Sequence, residues 1–443
     1  MRTPKNLENL MVFGFLLCLH TFLYVFTFLP LRVIAAAVSL VFNIFTRPWK
    51  PLLNPAQICD LLRGVIFCVC FCLLFYIDNS MLYHLVRGQA VIKLYVIHNV
   101  LEIADKLMSS FGQDALDALF AKATSRSTPR WKLIFVIPHI LIAIVYVFVH
   151  AGLVLTQATV LNVAINSHNK ALLTIMISNQ FVEMKSNAFK RFETNNLFQI
   201  SCQDIRERFH YAVLLSIVLL RNMAELDWNE DHLWTLIPIL FGVMASEFVV
   251  DWIKHAFILK FNNINSNVYK DFRRSLAKDV VIHRRNMAPG DQLDVVSRRI
   301  GFIPLPLGCL VTRVAVNSIH ISGITGIALI LIIYLCLVCF KILISIILLG
   351  KACRHWISDE DESSRETYPS RSSTHKLPNF VSTKLPASPF IRPQLTPSVK
   401  GTSVTSTPLV STGHPVVPDM RDGRPRLHLD EVNRFTLCGG SIL

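Results

Sequence analysis

Charge is scarce in this chain. Only 17% of its 443 residues are Asp, Glu, Lys or Arg, against about 25% in soluble globular domains. With 52% apolar residues this is a membrane-protein composition, which excludes a secreted domain, a disordered regulator and an ordinary cytosolic enzyme. Catalytic signatures are missing as well. No P-loop, GxSxG elbow, HExxH or clustered His/Asp/Glu set occurs. The fifteen histidines are scattered; His98, His168 and His210 sit in amphipathic segments and read as structural. The expectation is a non-enzyme with no metal or cofactor. No N-x-S/T sequon is present to orient the chain by glycosylation, and Cys438 is not fourth from the end, so there is no CaaX box. Most of the eleven cysteines lie in apolar stretches, as in Cys68–Cys70–Cys72 and Cys336-x-x-Cys339. Redox or zinc thiolates need a polar, accessible site, so these read as small packing residues.

What is present is a series of apolar runs long enough, or nearly so, for the roughly 20 residues that cross a bilayer. They are 10–29, 31–45, 61–77, 133–155, 211–220, 233–259, 302–319 and 321–349. The run at 10–29 exceeds the 7–15 residues of a signal-peptide core and reads as a retained membrane segment. Pro30 and Arg32 separate it from 31–45, which suggests a helical hairpin. The expectation is an all-α, multi-pass helical membrane protein with about six to eight membrane segments. The acidic loop 221–231 suits the non-cytosolic side, and the basic loops 157–210 and 260–300 the cytosolic side. That makes 211–259 a hairpin. The loop 79–132 is also basic, so either 133–165 re-enters or one basic loop breaks the tendency.

Two linkers have helical periodicity. Tyr95, Val96, Val100, Ile103 and Leu107 recur at helical spacing with Lys93, Glu102, Asp105 and Lys106 mostly outside them. Gly112 is expected to end that helix before a second piece at 116–120. Val268, Phe272, Leu276 and Val280 recur every four positions, while Lys270, Arg273, Arg274 and Lys278 occupy the other faces. Such a helix either lies in the interface of an anionic membrane or packs on the bundle with a solvated charged face. The four bases are candidate membrane-surface contacts.

Charges inside spans need a reason, since each costs about 2.5–3.5 kcal/mol at the bilayer centre on insertion scales. Glu247 and Asp251 share one face of the span 233–259, and Lys254 follows Asp251 at i+3. They form a candidate intramembrane polar site, or else the span ends near residue 250 with the acids at its mouth. Lys341 and Arg313 also interrupt apolar runs and are expected to snorkel or to pair with an acid. Pro304 and Pro306 cannot both occupy a regular helix interior. They mark a candidate broken-helix element, or an extended lead-in to a helix. Cys353, just past the last run, is a candidate palmitoylation site.

The character changes after Trp356. Residues 357–443 hold 32 Ser, Thr or Pro without apolar periodicity, a disordered tail. It opens on the acidic run 359–362, and Ser388, Thr396 and Thr407 each precede a proline. The expected division is a helical membrane domain over 1–356 and this tail over 357–443. The tail carries 10 bases and 9 acids, so the membrane domain holds 34 bases and 21 acids. The basic surplus thus lies beside the bilayer, which argues against a nucleic-acid partner.

Several long runs are more specific than any short motif. IKLYVIHNVLEIADKL (92–107), SFGQDALDAL (110–119), LNVAINSHNKALLTIMISNQFVEMKSNAFKRF (161–192), NLFQISCQDIRERFHY (196–211), DWIKHAFILKFN (251–262) and RRIGFIPLPL (298–307) resemble the signature of the transmembrane anterior posterior transformation protein family. The resemblance covers roughly residues 60–320. It implies a multi-pass protein of the endoplasmic reticulum with protein partners there, linked to protein folding or quality control. For animal members it implies a link to primary-cilium formation and skeletal patterning. It carries over no catalytic residues. Relatives often have a longer polar N-terminal region, and the tail does not match the signature. Together these readings point to a non-enzymatic membrane scaffold or adaptor; the alternative is an ion- or solute-transporting protein using Glu247 and Asp251.

Overall fold

A computed structural model describes residues 2–46, 53–124, 132–167, 174, 185, 191–286, 299–318 and 323–367. Among these residues there are eleven helices and no strands. They are α1 (Arg2–Phe26), α2 (Phe28–Thr46), α3 (Pro55–Leu74), α4 (Asn79–Arg87), α5 (Val91–Thr124), α6 (Lys132–Asn166), α7 (Thr194–Glu225), α8 (Glu230–Phe261), α9 (Val268–Asn286), α10 (Pro304–Ser318) and α11 (Gly323–Thr367). Five are long and apolar enough to cross a membrane: Thr3–Phe26, Pro55–Leu74, Val136–Asn166, Glu230–Phe261 and Gly323–Arg354. The all-α, multi-pass expectation holds, with fewer spans on length and composition than the six to eight expected.

Helix starts follow local chemistry. Pro55 opens α3, and Gln57 accepts a hydrogen bond from the Asn54 amide at 3.0 Å. Asp78 caps α4 through the Ser80 amide, and Asn229 caps α8 through the Asp231 amide. Each satisfies an amide that the first helical turn leaves without an internal partner.

The core has two apolar clusters. One gathers α1, α7, α9 and the second half of α6; the other gathers α3, the second half of α5 and the first half of α6. Helix α10 joins them, giving Leu305 and Cys309 to one and Leu307, Leu310 and Val314 to the other. Helix α1 is the hub, packing on α2 and on α7 through α11.

Several expectations are corrected. The runs 10–29 and 31–45 are not a hairpin: only Thr27 separates α1 from α2, whereas an αα-hairpin needs a connection of about 2–5 residues. Pro30 has no N–H for the Phe26 carbonyl, and the Thr27 hydroxyl bonds back to the Leu23 carbonyl. The result is a bend, held by the Tyr334 hydroxyl of α11 donating to the Thr27 carbonyl at 2.9 Å. Segment 211–220 is not a separate short span but the second half of α7. Helix α6 runs unbroken, so 133–165 does not re-enter. The expected hairpin at 211–259 is present as α7 and α8, joined through Leu226–Asn229.

Helix α5 is also continuous through Gly112. That glycine is there for contact, because a Cβ would fall 1.8 Å from Tyr146 Cζ on α6. Pro304 and Pro306 lie in the first turn of α10 after Gly301, whose φ of +79° turns the chain. First-turn amides lack helical acceptors anyway, so the prolines begin the helix and do not break it. Pro306→Ala is expected to shift stability by less than about 1 kcal/mol, measured as a thermal midpoint in detergent. Finally, α11 continues past Trp356 to Thr367, placing the acidic run 359–362 on a helix. The rest of the tail, with Ser388, Thr396 and Thr407, lies outside the described residues, as does His168.

Lys341 and Arg313 find different partners from the acids expected. Lys341 is buried in α11 with its ammonium 4.7 Å from the Tyr24 ring centroid and 4.8 Å from that of Phe28. Arg313 is buried and donates to the carbonyl of Ile77, just past α3. A cation over an aromatic face gains about 0.5–2 kcal/mol, below the insertion cost of a lysine at mid-membrane. Lys341→Leu is therefore expected to keep or raise the thermal midpoint, with a fall showing that the ammonium has another task.

Candidate functional site

The sequence singles out one face of α8, and the structure surrounds it. Glu247, Asp251 and Lys254 are all buried within the helical bundle. Lys254 Nζ lies 3.1 Å from Asp251 Oδ1, the expected i+3 pair, and 2.7 Å from Asp204 Oδ1 on α7. The principal partner of Asp251 is a residue the sequence reading missed. Arg208 Nε on α7 donates to Asp251 Oδ2 at 2.7 Å, and its Nη1 lies 3.1 Å from Glu8 Oε2 on α1. The same guanidinium stands 4.5 Å from the centroid of Phe248, and the Trp252 indole donates to Glu8 at 2.9 Å.

A second arm runs outward to α9. His255 Nε2 is 2.7 Å from Asp204 Oδ2, and His255 Nδ1 is 2.8 Å from the Tyr269 hydroxyl. An ionised carboxylate only accepts, so the Nε2 proton belongs to His255. Burial works to raise the Asp204 carboxyl, yet Lys254 and the His255 hydrogen bond outweigh it and hold the group well below the usual carboxylate range. Burial likewise pushes the Tyr269 hydroxyl up, so it remains a phenol. The network thus ties α1, α7, α8 and α9 together by charges that meet one another.

The bases of α9 point elsewhere. Tyr269, Phe272, Leu276 and Ala277 are buried, against α1 and α11 among others, while Lys270 and Lys278 are exposed. Arg273 and Arg274 are half-buried, and burial lowers the Arg273 guanidinium. The helix is therefore docked on the bundle with a charged outer edge. Cys353 is half-buried near the end of the last span.

Behind α5 lies a cavity of about 70 Å³ that the sequence does not announce. Asp105 Oδ1 meets His150 Nε2 of α6 at 2.9 Å, and His150 Nδ1 meets the Tyr146 hydroxyl at 2.9 Å. This repeats the Tyr–His–Asp arrangement of Tyr269, His255 and Asp204. Lys106 lies 3.2 Å from Glu102 and 2.9 Å from Glu207 of α7. Arg206 donates to the Gly301 carbonyl at 3.1 Å. The apolar wall includes Val154, Leu161, Leu214, Phe302 and Leu307; Glu247 is not among the lining residues. On α5, Val96, Val100, Ile103 and Leu107 are exposed, and Glu102, Asp105 and Lys106 line the cavity. Among the described residues no three His, Cys, Asp or Glu side chains are grouped to hold a metal ion.

Helices of spanning length around internal ion pairs define a multi-pass helical membrane protein. Residues 53–356 match the family described as "Eukaryotic membrane protein family". The chain is 46% identical over 476 residues to "Transmembrane anterior posterior transformation protein 1 homolog" of Danio rerio, covering 100% of this chain and 82% of that protein. It is 47% identical over 469 residues to the Mus musculus "Transmembrane anterior posterior transformation protein 1", with the same coverage of each chain. It is also 45% identical over 364 residues to "Protein TAPT1 homolog" of Dictyostelium discoideum, covering 79% of this chain and 44% of that protein. The chain belongs to the transmembrane anterior posterior transformation protein family. No solved structure matches it.

Proposed function

We propose that the protein is a non-enzymatic scaffold or adaptor of the endoplasmic-reticulum membrane that serves protein folding or quality control. The observation that carries this reading is the closure of the charge network. Arg208 and Lys254 occupy the carboxylate of Asp251, leaving a braced bundle in place of an open cation path. Membership of the family supports the location and, through the relatives' name, a developmental role. For animal members that role is primary-cilium formation and skeletal patterning. The basic edge of α9 contacts lipid headgroups in this reading, and the bundle recruits its protein partners at the membrane. Affinity purification from gently solubilised membranes should recover a stable membrane or lumenal partner. Repeated recovery of the chain alone would sink the proposal. Transport through Glu247 and Asp251 instead requires Glu247→Gln to abolish an ion or solute flux in reconstituted vesicles.

A further inference from the structure

Helix α5 carries an inside-out pattern. From Leu94 to Ser109 every exposed residue is apolar. The exposed stripe Ile92, Val96, Val100, Ile103, Leu107, Phe111 covers about 28 Å at 1.5 Å per residue, close to the roughly 30 Å hydrocarbon core. Its direction matters too. The contacts Asp105–His150 and Gly112–Tyr146 make α5 antiparallel to α6. Arg63 of α3 lies over Phe120, on α5 beyond Gly112 toward the start of α6, while Cys70 reaches the Ile144 carbonyl. Helices α3 and α6 therefore run parallel. Two successive spans in the same direction require a return crossing between them, and α5 is the long helix available for it.

We propose that α5 crosses the bilayer, and that the cavity behind it is an intramembrane site for the head of an uncharged, hydroxyl-bearing lipid, a sterol- or diacylglycerol-type alcohol. The wall holds three acids, Glu102, Asp105 and Glu207, against Lys106 and Arg206, so an anionic head meets net negative charge. An ammonium finds those acids already engaged, Glu102 and Glu207 by Lys106 and Asp105 by His150. Two polar atoms remain unsatisfied. His98 is 7% exposed and lines the cavity, and its Nδ1 has no hydrogen-bond partner; the buried Nε of Arg206 has none either. Leaving a buried polar group unpaired is unfavourable, and a hydroxyl can both donate and accept. The cavity's volume of about 70 Å³ suits a hydroxyl and a few carbons, with the lipid body outside. This site stands whether or not the scaffold reading does.

The test uses the full chain in nanodiscs with clickable diazirine lipids. Separate arms carry a sterol, a diacylglycerol, a fatty acid and a phosphatidylcholine. One of the two alcohols should label peptides of α5, α6 or α7 saturably, and excess unlabelled alcohol should suppress that labelling at least about tenfold. Val154→Trp, which fills the cavity, should lower labelling about tenfold, while Val100→Trp on the outer stripe should leave it unchanged. His98→Leu, which removes the polar contact with little change in volume, gives a second reading should Val154→Trp fail to fold. Labelling equal across all four heads, indifferent to both cavity variants, or absent for both alcohols would overturn the proposal.

Discussion

Arg208→Met is expected to cost the folded protein about 3–5 kcal/mol, because it leaves the buried Asp251 short of a counter-charge. Asp251 loses its 2.7 Å partner and Glu8 its guanidinium contact, while Lys254 remains shared between Asp251 and Asp204. At roughly 2–4 °C per kcal/mol for a domain of a few hundred residues, the thermal midpoint in detergent should fall by about 10 °C. Replacing the whole group with neutral analogues (Glu8→Gln, Arg208→Met, Asp251→Asn) should restore most of the loss, since the penalty belongs to the unpaired charge. A single variant as stable as the parent would show that solvent reaches Asp251 and that the network is not a brace.

Gly112→Ala should be nearly as damaging. The new methyl would overlap Tyr146 at 1.8 Å from Cζ and 1.9 Å from the hydroxyl oxygen. Tyr146 cannot swing aside freely, being 3% exposed and tied to His150 Nδ1. Either α5 lifts off α6 or the Tyr146–His150 bond is lost. Overpacking of about 1–3 kcal/mol and a hydrogen bond worth about 1 kcal/mol give an expected loss of about 2–4 kcal/mol. In a double-mutant cycle, Gly112→Ala with Tyr146→Leu should lose much less than the sum of the singles. Full additivity would mean that the two residues do not touch.

The parts legible in the sequence are those written in consecutive residues. The apolar runs of α1, α3, α6, α8 and α11 state their lengths directly, and the Asp251–Lys254 pair follows from helical spacing. The parts that were not legible depend on which way a helix turns. Periodicity shows that α5 has two faces, but not that the apolar one faces outward; that is decided by His150 and Glu207, far along the chain. The sequence does not single out Arg208, because its partners Glu8 and Asp251 lie on other helices. Gly112 resembled a stop for the same reason: Tyr146, which requires it, belongs to the next helix.

The contact between Glu8 and Arg208 joins residues 200 positions apart. Ribosomes add about 5–20 residues per second, so Glu8 is made about 10–40 seconds before Arg208. Throughout that interval the first helix is present without the cation that compensates its carboxylate. It cannot reach its final setting by folding in order of synthesis. Those contacts of the hub can close only after α7 and α8 have been made. A chain that stops before Arg208 therefore carries on its first helix an acid whose guanidinium partner has not yet been made.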